Sequence, residues 1–242
     1  MAAARTPDIV AHRGLHDRHP ENGLTAFRAA WSAGFEWCEC DVHLAADGTP
    51  IVIHDETLDR TTTGTGLVRS ATADAINSMQ LRLTDGRPNG EPVPTLWRLL
   101  SHMPLTARLL VEVKAPGREA AERVVRAIWA GNAERRCVIQ SFAEEHVRAV
   151  AELEPPLPVA WLIDQPEQLV EAYRCPWPRI NVRHDLLDEA TIRPLRHESK
   201  SVGVWTVNDE PDIRRVLELG VDTIITDNPR LVRVMADRSS PS

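Results

Sequence analysis

The sequence lacks several features that would place it in common protein classes. Its four cysteines, Cys38, Cys40, Cys137 and Cys175, include no Cys-x-x-Cys pair and no spacing typical of a disulfide or zinc framework. No stretch is apolar enough to span a membrane, and residues 1–14 have no apolar core of the kind found in secretory signals. We therefore expect a cytoplasmic protein with reduced thiols and without stable membrane insertion.

An excess of positive charge is also absent. The chain has 28 Lys and Arg residues against 35 Asp and Glu residues, which gives a formal net charge of -7. This balance argues against a partner such as nucleic acid or a polyanionic surface, but not against a locally positive site for a small phosphate-bearing substrate. Hydrophobic residues make up 43% and charged residues 26%, so 242 residues suffice for one α/β barrel with a large core.

Short β-rich runs alternate with amphipathic helical runs along the whole chain. Several helical runs end at a glycine, which is the usual signal just past the last turn of a helix. The predicted strands are 8–12, 36–42, 50–54, 108–114, 137–142, 158–163, 179–182, 202–207 and 222–226. This alternation is typical of a parallel sheet or barrel, and no internal repeat or linker indicates a second domain.

The nine predicted strands exceed the eight of a (β/α)8 TIM barrel by one. The second and third strands are separated by too few residues for a parallel crossover, and Asp47-Gly48 is a strong hairpin turn. The third strand is therefore predicted to return antiparallel, as a β-hairpin after the second barrel strand. Pairing across a two-residue turn would set Asp41 opposite His54.

Residues 56–95 have weak periodicity and many Gly, Thr and Pro residues. Since TIM-barrel sites lie at the C-terminal ends of the strands, we interpret this segment as a small insertion over the C-terminal mouth. The predicted organisation is one barrel domain over residues 1–235, with the insertion at about 56–95 and a flexible tail at 236–242.

Three acidic residues lie near the ends of two predicted strands. Glu39 and Asp41 share one face of the second strand, because side chains alternate, whereas Cys38 and Cys40 share the other. Glu112 closes the fourth predicted strand, where a buried pattern would be apolar. Carboxylates without cysteines favour a hard oxygen site for Mg²⁺ or Ca²⁺, with Mn²⁺ as a third candidate. The alternative is that these acids form salt bridges at the barrel rim.

Two of the nine histidines end predicted strands. His12 ends the first strand and His54 ends the return strand. Two histidines near an acid-bound metal can act as general acid and base near neutral pH. His16, His19 and His43 are interpreted as loop or rim residues.

Positive side chains adjoin these groups. Arg13 follows His12, and Lys114 lies two residues beyond Glu112 on the same strand face. Both are candidates to hold a phosphate, Arg13 by a bidentate fork and Lys114 as a point charge, although Lys114 could equally form an ion pair with Glu112. Trp205 would supply an apolar wall, or else belong to the core.

Taken in order, these motifs form a pattern that covers most of the chain. The pattern resembles the glycerophosphodiester phosphodiesterase family from about residue 9 to residue 230. The segments that carry the resemblance are AHRG, PEN, ECDVHLAADGTPIVIHDETLDRTTTGTG, VEVK, QSF, VWTVN and GVDTIITDNP. The resemblance implies a (β/α)8 barrel with a small insertion over its mouth, and a divalent cation.

The resemblance also implies roles for individual residues. His12 and His54 match the acid–base histidines, and Glu39, Asp41 and Glu112 match the metal carboxylates. Arg13 and Lys114 match phosphate-contacting positions, and Trp205 matches a pocket aromatic. Two departures are mild: Gly23 stands where a hydroxyl residue is common and alters a helix cap, and Cys40 replaces an apolar residue between the two metal acids.

The function that this resemblance implies is metal-dependent hydrolysis of a small-molecule glycerophosphodiester to sn-glycerol 3-phosphate and an alcohol. The alternative on the same chemistry is a lysophospholipase D or a sphingomyelinase D-like enzyme acting on lipid substrates. A non-catalytic barrel that senses a phosphodiester is the alternative from another class, and it would be expected to lack a histidine or a metal acid. The sequence specifies no oligomeric state.

Overall fold

The computed structural model describes residues 6–153 and 156–239. Helices and strands alternate along most of the chain, with two short 3-10 turns at Val68–Ser70 and His184–Leu186. In chain order the elements are β1 (Asp8–Ala11), α1 (Leu24–Ser32), β2 (Trp37–Leu44), β3 (Pro50–Val52), α2 (Ala73–Asn77), β4 (Gln80–Arg82), β5 (Pro88–Pro92), α3 (Leu96–His102), β6 (Arg108–Val113), α4 (Arg118–Ala130), β7 (Cys137–Ser141), α5 (Glu144–Ala151), β8 (Val159–Ile163), α6 (Pro166–Arg174), β9 (Arg179–Arg183), α7 (Glu189–His197), β10 (Ser201–Trp205), α8 (Glu210–Leu219), β11 (Thr223–Thr226) and α9 (Pro229–Ser239).

Eight of these strands close into a parallel barrel. Their order around the barrel is β1, β2, β6, β7, β8, β9, β10 and β11, and β11 pairs with β1 to complete the ring. Each neighbouring pair is parallel, with the helices in the connections. The prediction of a (β/α)8 TIM barrel is confirmed.

The helices end where their sequences lose the amphipathic pattern or gain a capping residue. In α8, the side chain of Asp209 accepts a hydrogen bond from the backbone N–H of Asp212, and Gly220 ends the helix in the left-handed conformation at φ 68°. Ile213 and Val216 of this helix are fully buried against the barrel. Such faces build the larger part of the core, between the sheet and the helices.

Side-chain alternation divides each barrel strand between this outer core and the barrel interior. The interior is filled by the buried residues Val10, Trp37, Leu110, Val138, Ala160 and Ile225. Cys38 and Cys40 are buried in the outer core. Glu39 and Asp41 alternate with them along β2 and therefore face inward. The thiols therefore pack away from the carboxylates, as the alternation predicts.

The hairpin of β2 and β3 forms as predicted, but its register differs by one residue. Val42 lies opposite Val52, and the backbone N–H of Ile53 donates to the carbonyl of Asp41. The predicted pairing of Asp41 with His54 is therefore wrong. The turn contains three residues rather than two, with Gly48 at φ 78°, and the extra residue shifts the register. β3 ends at Val52, so His54 lies in the segment after the strand.

Residues 56–95 form a small folded layer with its own core. The segment contains α2 and the antiparallel pair β4 and β5, which the weak periodicity did not predict. Its apolar side chains pack with residues of the hairpin in a separate cluster consisting of Ala45, Ile51, Ile53, Leu58, Val68, Ile76, Leu81 and Val93. The segment is thereby attached to the hairpin that directly precedes His54.

The C-terminal helix α9 continues to Ser239, into the residues 236–242 for which the sequence predicts a flexible tail. Residues 240–242 lie outside the described residues. Within the described ranges, no helix combines the length and apolar character needed to cross a membrane.

Candidate active site

Three buried carboxylates meet at the C-terminal end of the barrel. β2 and β6 are parallel neighbours, and their register sets Asp41 directly beside Glu112. Glu39 lies two residues before Asp41 on the same inward face. The three residues are at most 7% exposed, and each offers a carboxylate oxygen within 4.8 Å of the others. The structure therefore brings together the acids that the sequence proposed as metal ligands.

The electrostatics of these carboxyls differ strongly. Burial, followed by the charges of Asp41 and Glu112, raises the pKa of Glu39 well above its usual value. Burial and the charge of Asp41 raise the pKa of Glu112 to about 7. Burial opposes ionisation of Asp41 as well, but the positive charges of Lys114 and Arg13 outweigh it and lower its pKa. Asp41 is thus the anionic centre of the cluster.

The donor set fits a hard divalent cation. Lys114 Nζ lies 2.5 Å from Glu112 Oε1 and 3.3 Å from Asp41 Oδ1, so the ion pairs that the sequence offered as an alternative are also formed. Nevertheless, Asp41 Oδ1 is buried without a hydrogen-bond partner. A buried, unpartnered carboxylate oxygen beside two further carboxylates is an arrangement that a dication would satisfy.

The turn after β1 places Arg13 over the carboxylates. Gly14 follows at φ 80°, and a Cβ there would lie 2.7 Å from the backbone of Ala26 in α1, so the turn passes close to the helix. Arg13 itself has a positive φ of 55°, and its backbone N–H donates to Glu39 Oε2 at 3.2 Å. Its Nε lies 3.1 Å from Asp41 Oδ2, at a distance for an ion pair but without hydrogen-bond alignment.

His12 is oriented by an aspartate at the end of β11. Its Nδ1 lies 2.7 Å from Asp227 Oδ1, and His16 Nε2 lies 3.1 Å from the same oxygen. Burial by itself would raise the pKa of Asp227, but the hydrogen bonds from the two histidines outweigh burial and lower the pKa below its usual value. The carboxylate is therefore ionised, and His12 Nδ1 donates to it. The other nitrogen, Nε2, lies 3.9 Å from Glu39 Oε2 and faces the carboxylates.

His54 has an equivalent partner in the next residue. Its Nδ1 lies 2.7 Å from Asp55 Oδ1, and His43 Nε2 lies 3.0 Å from the His54 carbonyl oxygen. Burial lowers the pKa of His54 below its usual value, although the charge of Asp41 opposes the shift. His54 therefore favours the neutral imidazole near neutral pH, with Nε2 left for proton exchange.

These groups surround one cleft at the barrel mouth, about 130 Å³ in volume. One side is polar, and the other is formed by apolar side chains that include Trp205 and Phe142. Their rings meet edge to face at 5.2 Å, and Trp205 Nε1 donates to the carbonyl of Asn181 at 3.0 Å. The lining residues are His12, Arg13, Glu39, His54, Glu112, Lys114, Gln140, Phe142, Leu162, Trp205, Thr206 and Ile225. Trp205 thus forms the predicted wall.

A larger groove of about 540 Å³ lies elsewhere, beside Trp31, Glu36 and Ala107. Glu36 and Ala107 directly precede β2 and β6, so this groove is at the opposite end of the barrel. None of its lining residues is a candidate site residue, and we assign the chemistry to the smaller cleft.

Two supporting residues were not assigned from the sequence. Asn22 is buried, with its Nδ2 donating to Asp41 Oδ2 at 2.9 Å, and Asp227 orients His12. Asp227 directly follows the last barrel strand, which is a position typical of functional residues and could have indicated its role. Asn22 lies in the loop between β1 and α1, where no strand or helix periodicity could indicate that its side chain reaches Asp41.

Comparisons with known proteins indicate the family that the whole chain resembles. The model of the Glycerophosphoryl diester phosphodiesterase family matches residues 12–231. A glycerophosphodiester phosphodiesterase from Caldanaerobacter subterraneus subsp. tengcongensis is 33% identical, over 91% of this chain and 94% of the relative.

Two solved structures give the same result for the fold. A glycerophosphodiester phosphodiesterase from Agrobacterium tumefaciens has a TM-score of 0.79 and 27% identity, over 94% of this chain and 99% of that one. An Oleispira antarctica phosphodiesterase, solved in complex with the product sn-glycerol-3-phosphate, has a TM-score of 0.84. It covers 97% of this chain and 98% of its own, and at 22% identity the likeness concerns the fold alone.

Proposed function

The chain belongs to the glycerophosphoryl diester phosphodiesterase family, and from that membership we propose that it hydrolyses glycerophosphodiesters to sn-glycerol 3-phosphate and an alcohol. The observation that carries the proposal is the cleft lined by two histidines, one arginine, one lysine and two of the three clustered buried carboxylates. The Oleispira antarctica structure, whose product is sn-glycerol-3-phosphate, supports a small-molecule substrate in a barrel of this kind. The names of these relatives do not favour the lipid-directed alternative.

Glu39, Asp41 and Glu112 would hold the divalent cation, for which Mg²⁺ and Ca²⁺ are the first candidates. When bound, such a cation supplies Lewis-acid polarisation of a phosphate oxygen and lowers the pKa of a coordinated hydroxyl. Three oxygen ligands without cysteine support a hard cation rather than a thiolate metal.

The two histidines supply proton transfer. His12 and His54 each donate Nδ1–H to an aspartate, so each leaves Nε2 for the reaction. One of them takes a proton from the nucleophile, which is either water or the glycerol hydroxyl of the substrate, and the other protonates the leaving alkoxide. The aspartates fix the tautomers and stabilise the imidazolium formed during the cycle.

Arg13 and Lys114 bind the phosphate and stabilise its transition-state charge. Although burial favours their neutral forms, the charge of Asp41 raises the pKa of both side chains, which keeps them cationic. Phe142 and Trp205 exclude water from the apolar side of the cleft.

The proposal is tested by assaying a panel of glycerophosphodiesters with EDTA and then with Mg²⁺ or Ca²⁺ restored. We expect turnover that needs a cation, and sn-glycerol 3-phosphate as the common product. His12→Asn and His54→Asn should each lose roughly 10²–10⁴-fold in kcat, the usual contribution of a general acid or base. His197→Asn is the control, because that side chain is 85% exposed and outside the cleft.

Absence of turnover under every cation would contradict the proposed function. Near-full activity of either cleft variant would contradict the assignment of that histidine. Phosphorus NMR of the early products separates the two nucleophiles, because attack by the substrate hydroxyl gives a cyclic phosphate first.

A further inference from the structure

One half-exposed arginine outside the cleft connects the carboxylate beside His54 with the carboxylate beside Arg13. Arg60 lies in the segment 56–95, in a turn between the buried side chains of Leu58 and Thr62. Its Nε and Nη2 donate to the two oxygens of Asp55, at 2.7 and 2.9 Å. Its Nη1 and Nη2 donate to the two oxygens of Glu21, at 2.7 and 2.9 Å. Both edges of one guanidinium are therefore occupied by carboxylates.

Each of these carboxylates holds one residue of the cleft. Asp55 Oδ1, which accepts from Arg60, also lies 2.7 Å from His54 Nδ1. Glu21 Oε1, which accepts from Arg60, also accepts from Arg13 Nη1 at 2.9 Å. The result is a continuous chain of alternating charge from the acid–base histidine to the phosphate-binding arginine.

We propose that Arg60 is a positioning residue that couples His54 to Arg13 through Asp55 and Glu21. The proposal rests on the proposed function, for which it adds a residue that does not touch the substrate. It gives the segment 56–95 a part in catalysis, because that segment supplies a side chain that donates to both carboxylates.

Charge sharing is the physical basis of the coupling. Arg60 neutralises part of the Asp55 charge, so Asp55 orients His54 Nδ1 without strongly favouring the imidazolium. Arg60 also shares Glu21 with Arg13, so the guanidinium of Arg13 keeps more of its positive charge for a phosphate. Loss of Arg60 would therefore strengthen the His54–Asp55 pair and weaken phosphate binding at Arg13.

The planar fork of arginine is needed for this geometry. Lysine would keep the charge but, as a point donor, could not satisfy four carboxylate oxygens in two parallel pairs. We therefore expect a graded series in which wild type exceeds Arg60→Lys, and Arg60→Lys exceeds Arg60→Gln, in kcat/KM. Arg60→Gln should lose about 10–100-fold, by analogy with the loss seen when a residue that orients a metal ligand is removed.

The first experiment separates this coupling from a structural role. In ¹⁵N-histidine-labelled protein, with His54→Gln to assign the signal, Arg60→Gln should raise the pKa of His54 by about 0.5–1 unit. The pH limb of kcat that reports His54 should move upward by the same amount. The other groups that face His54 are unchanged in the variant, namely Asp41, Arg13, Lys114, Asp55 and His43.

Arg118→Gln is the matched control. Arg118 also pairs with two carboxylates, Glu122 and Glu152, but on the surface of α4 and α5 and away from the cleft. It should leave both kcat/KM and the His54 titration unchanged. Thermal unfolding of both variants and of Arg60→Lys shows whether each loss of activity exceeds the loss of folded protein.

A second pair of variants separates the two arms of the chain. Glu21→Gln should act mainly on phosphate binding and therefore on KM, whereas Asp55→Asn should lower the pKa of His54 and act mainly on kcat. Arg60→Gln should show both effects. If Arg60→Gln leaves the His54 titration at its wild-type value, or loses activity only in proportion to its folded fraction, the coupling is wrong.

Wild-type protein without turnover on any glycerophosphodiester would overturn the proposed function instead. The histidine titration would still decide whether Arg60 acts on His54, because it needs no substrate and no cation. The two failures are therefore distinguishable.

Discussion

Asn22 shows how a single side chain fixes a carboxylate of the candidate site. Its Nδ2 donates to Asp41 Oδ2, and its Oδ1 accepts from the Asp41 backbone N–H at 3.3 Å. The residue is 2% exposed and has φ 58°. Asparagine tolerates that left-handed backbone better than most residues, so one residue type meets both the conformational and the hydrogen-bonding requirement.

Replacement of Asn22 tests this double role. Asn22→Ala should lower the free energy of unfolding by about 2–4 kcal/mol, because a buried backbone N–H loses its acceptor and a left-handed alanine adds strain. Asn132→Ala is the matched control, since Asn132 has φ 48° but an exposed side chain, and should cost only about 1 kcal/mol. Urea unfolding of both variants gives the comparison, and equal losses would mean that the contacts with Asp41 contribute nothing.

At the scale of elements, α1 is capped by a residue from a distant strand. Its N-cap, Gly23, has no side chain to accept a hydrogen bond. Instead Glu91 of β5 accepts from the backbone N–H of Thr25 at 3.0 Å and from its hydroxyl at 2.5 Å. A Cβ on Gly23 would lie 2.9 Å from Pro20 Cγ and 3.1 Å from Glu91 Oε2, so the glycine leaves room for the incoming carboxylate.

This cap predicts a graded response at Glu91. Glu91→Ala should destabilise the protein by about 1 kcal/mol, the usual cost of removing a helix cap. Glu91→Gln should lose less, because the amide oxygen still accepts from Thr25 while only the charge at the helix N-terminus is removed. Chemical unfolding of the two variants measures the difference. A loss in Glu91→Gln equal to that in Glu91→Ala would indicate that charge alone, rather than the hydrogen bond, stabilises α1.

The same cap shows which features the sequence could predict. The departure at Gly23 is visible in the sequence, but its replacement by Glu91 is not, because 66 residues separate Glu91 from Thr25. The barrel and the inward face of Glu39 and Asp41 follow from strand periodicity, which is local. The hairpin was predicted, yet its register depended on one additional turn residue that sequence signals do not specify.

At the scale of the whole molecule, the candidate site places charge where burial opposes it. Three carboxyls with two cationic side chains lie buried or half-buried in a barrel whose interior also contains a cluster of apolar side chains. Glu39 and Glu112 have raised pKa values, so their ionised forms cost stability, whereas the lowered pKa of Asp41 means that its ionised form contributes stability. Folding therefore favours the neutral forms of Glu39 and Glu112 and the ionised form of Asp41, whereas cation binding requires all three to be ionised.

This contrast predicts opposite effects of two conservative substitutions in cation-free protein at pH 8. Glu39 has a raised pKa, so its contribution to stability is lost as the pH rises from 4.5, the ordinary pKa of glutamate, through the higher pKa of Glu39 in the folded protein. Glu39→Gln should therefore match or exceed wild-type stability at pH 8. Asp41, with the lowered pKa, contributes stability above its ordinary value of 3.8, so Asp41→Asn should be destabilised.

The cation response of the same proteins completes the prediction. Saturating Mg²⁺ or Ca²⁺ should stabilise wild type, by about 2.7 kcal/mol at a hundredfold excess over Kd, because only the folded chain holds the carboxylates together. Both variants should lose most of this gain, since each removes one ligand charge. Thermal unfolding with EDTA and with cation measures both effects. Equal destabilisation of the two cation-free variants would contradict the charge balance, and an unchanged wild type would contradict the cation site.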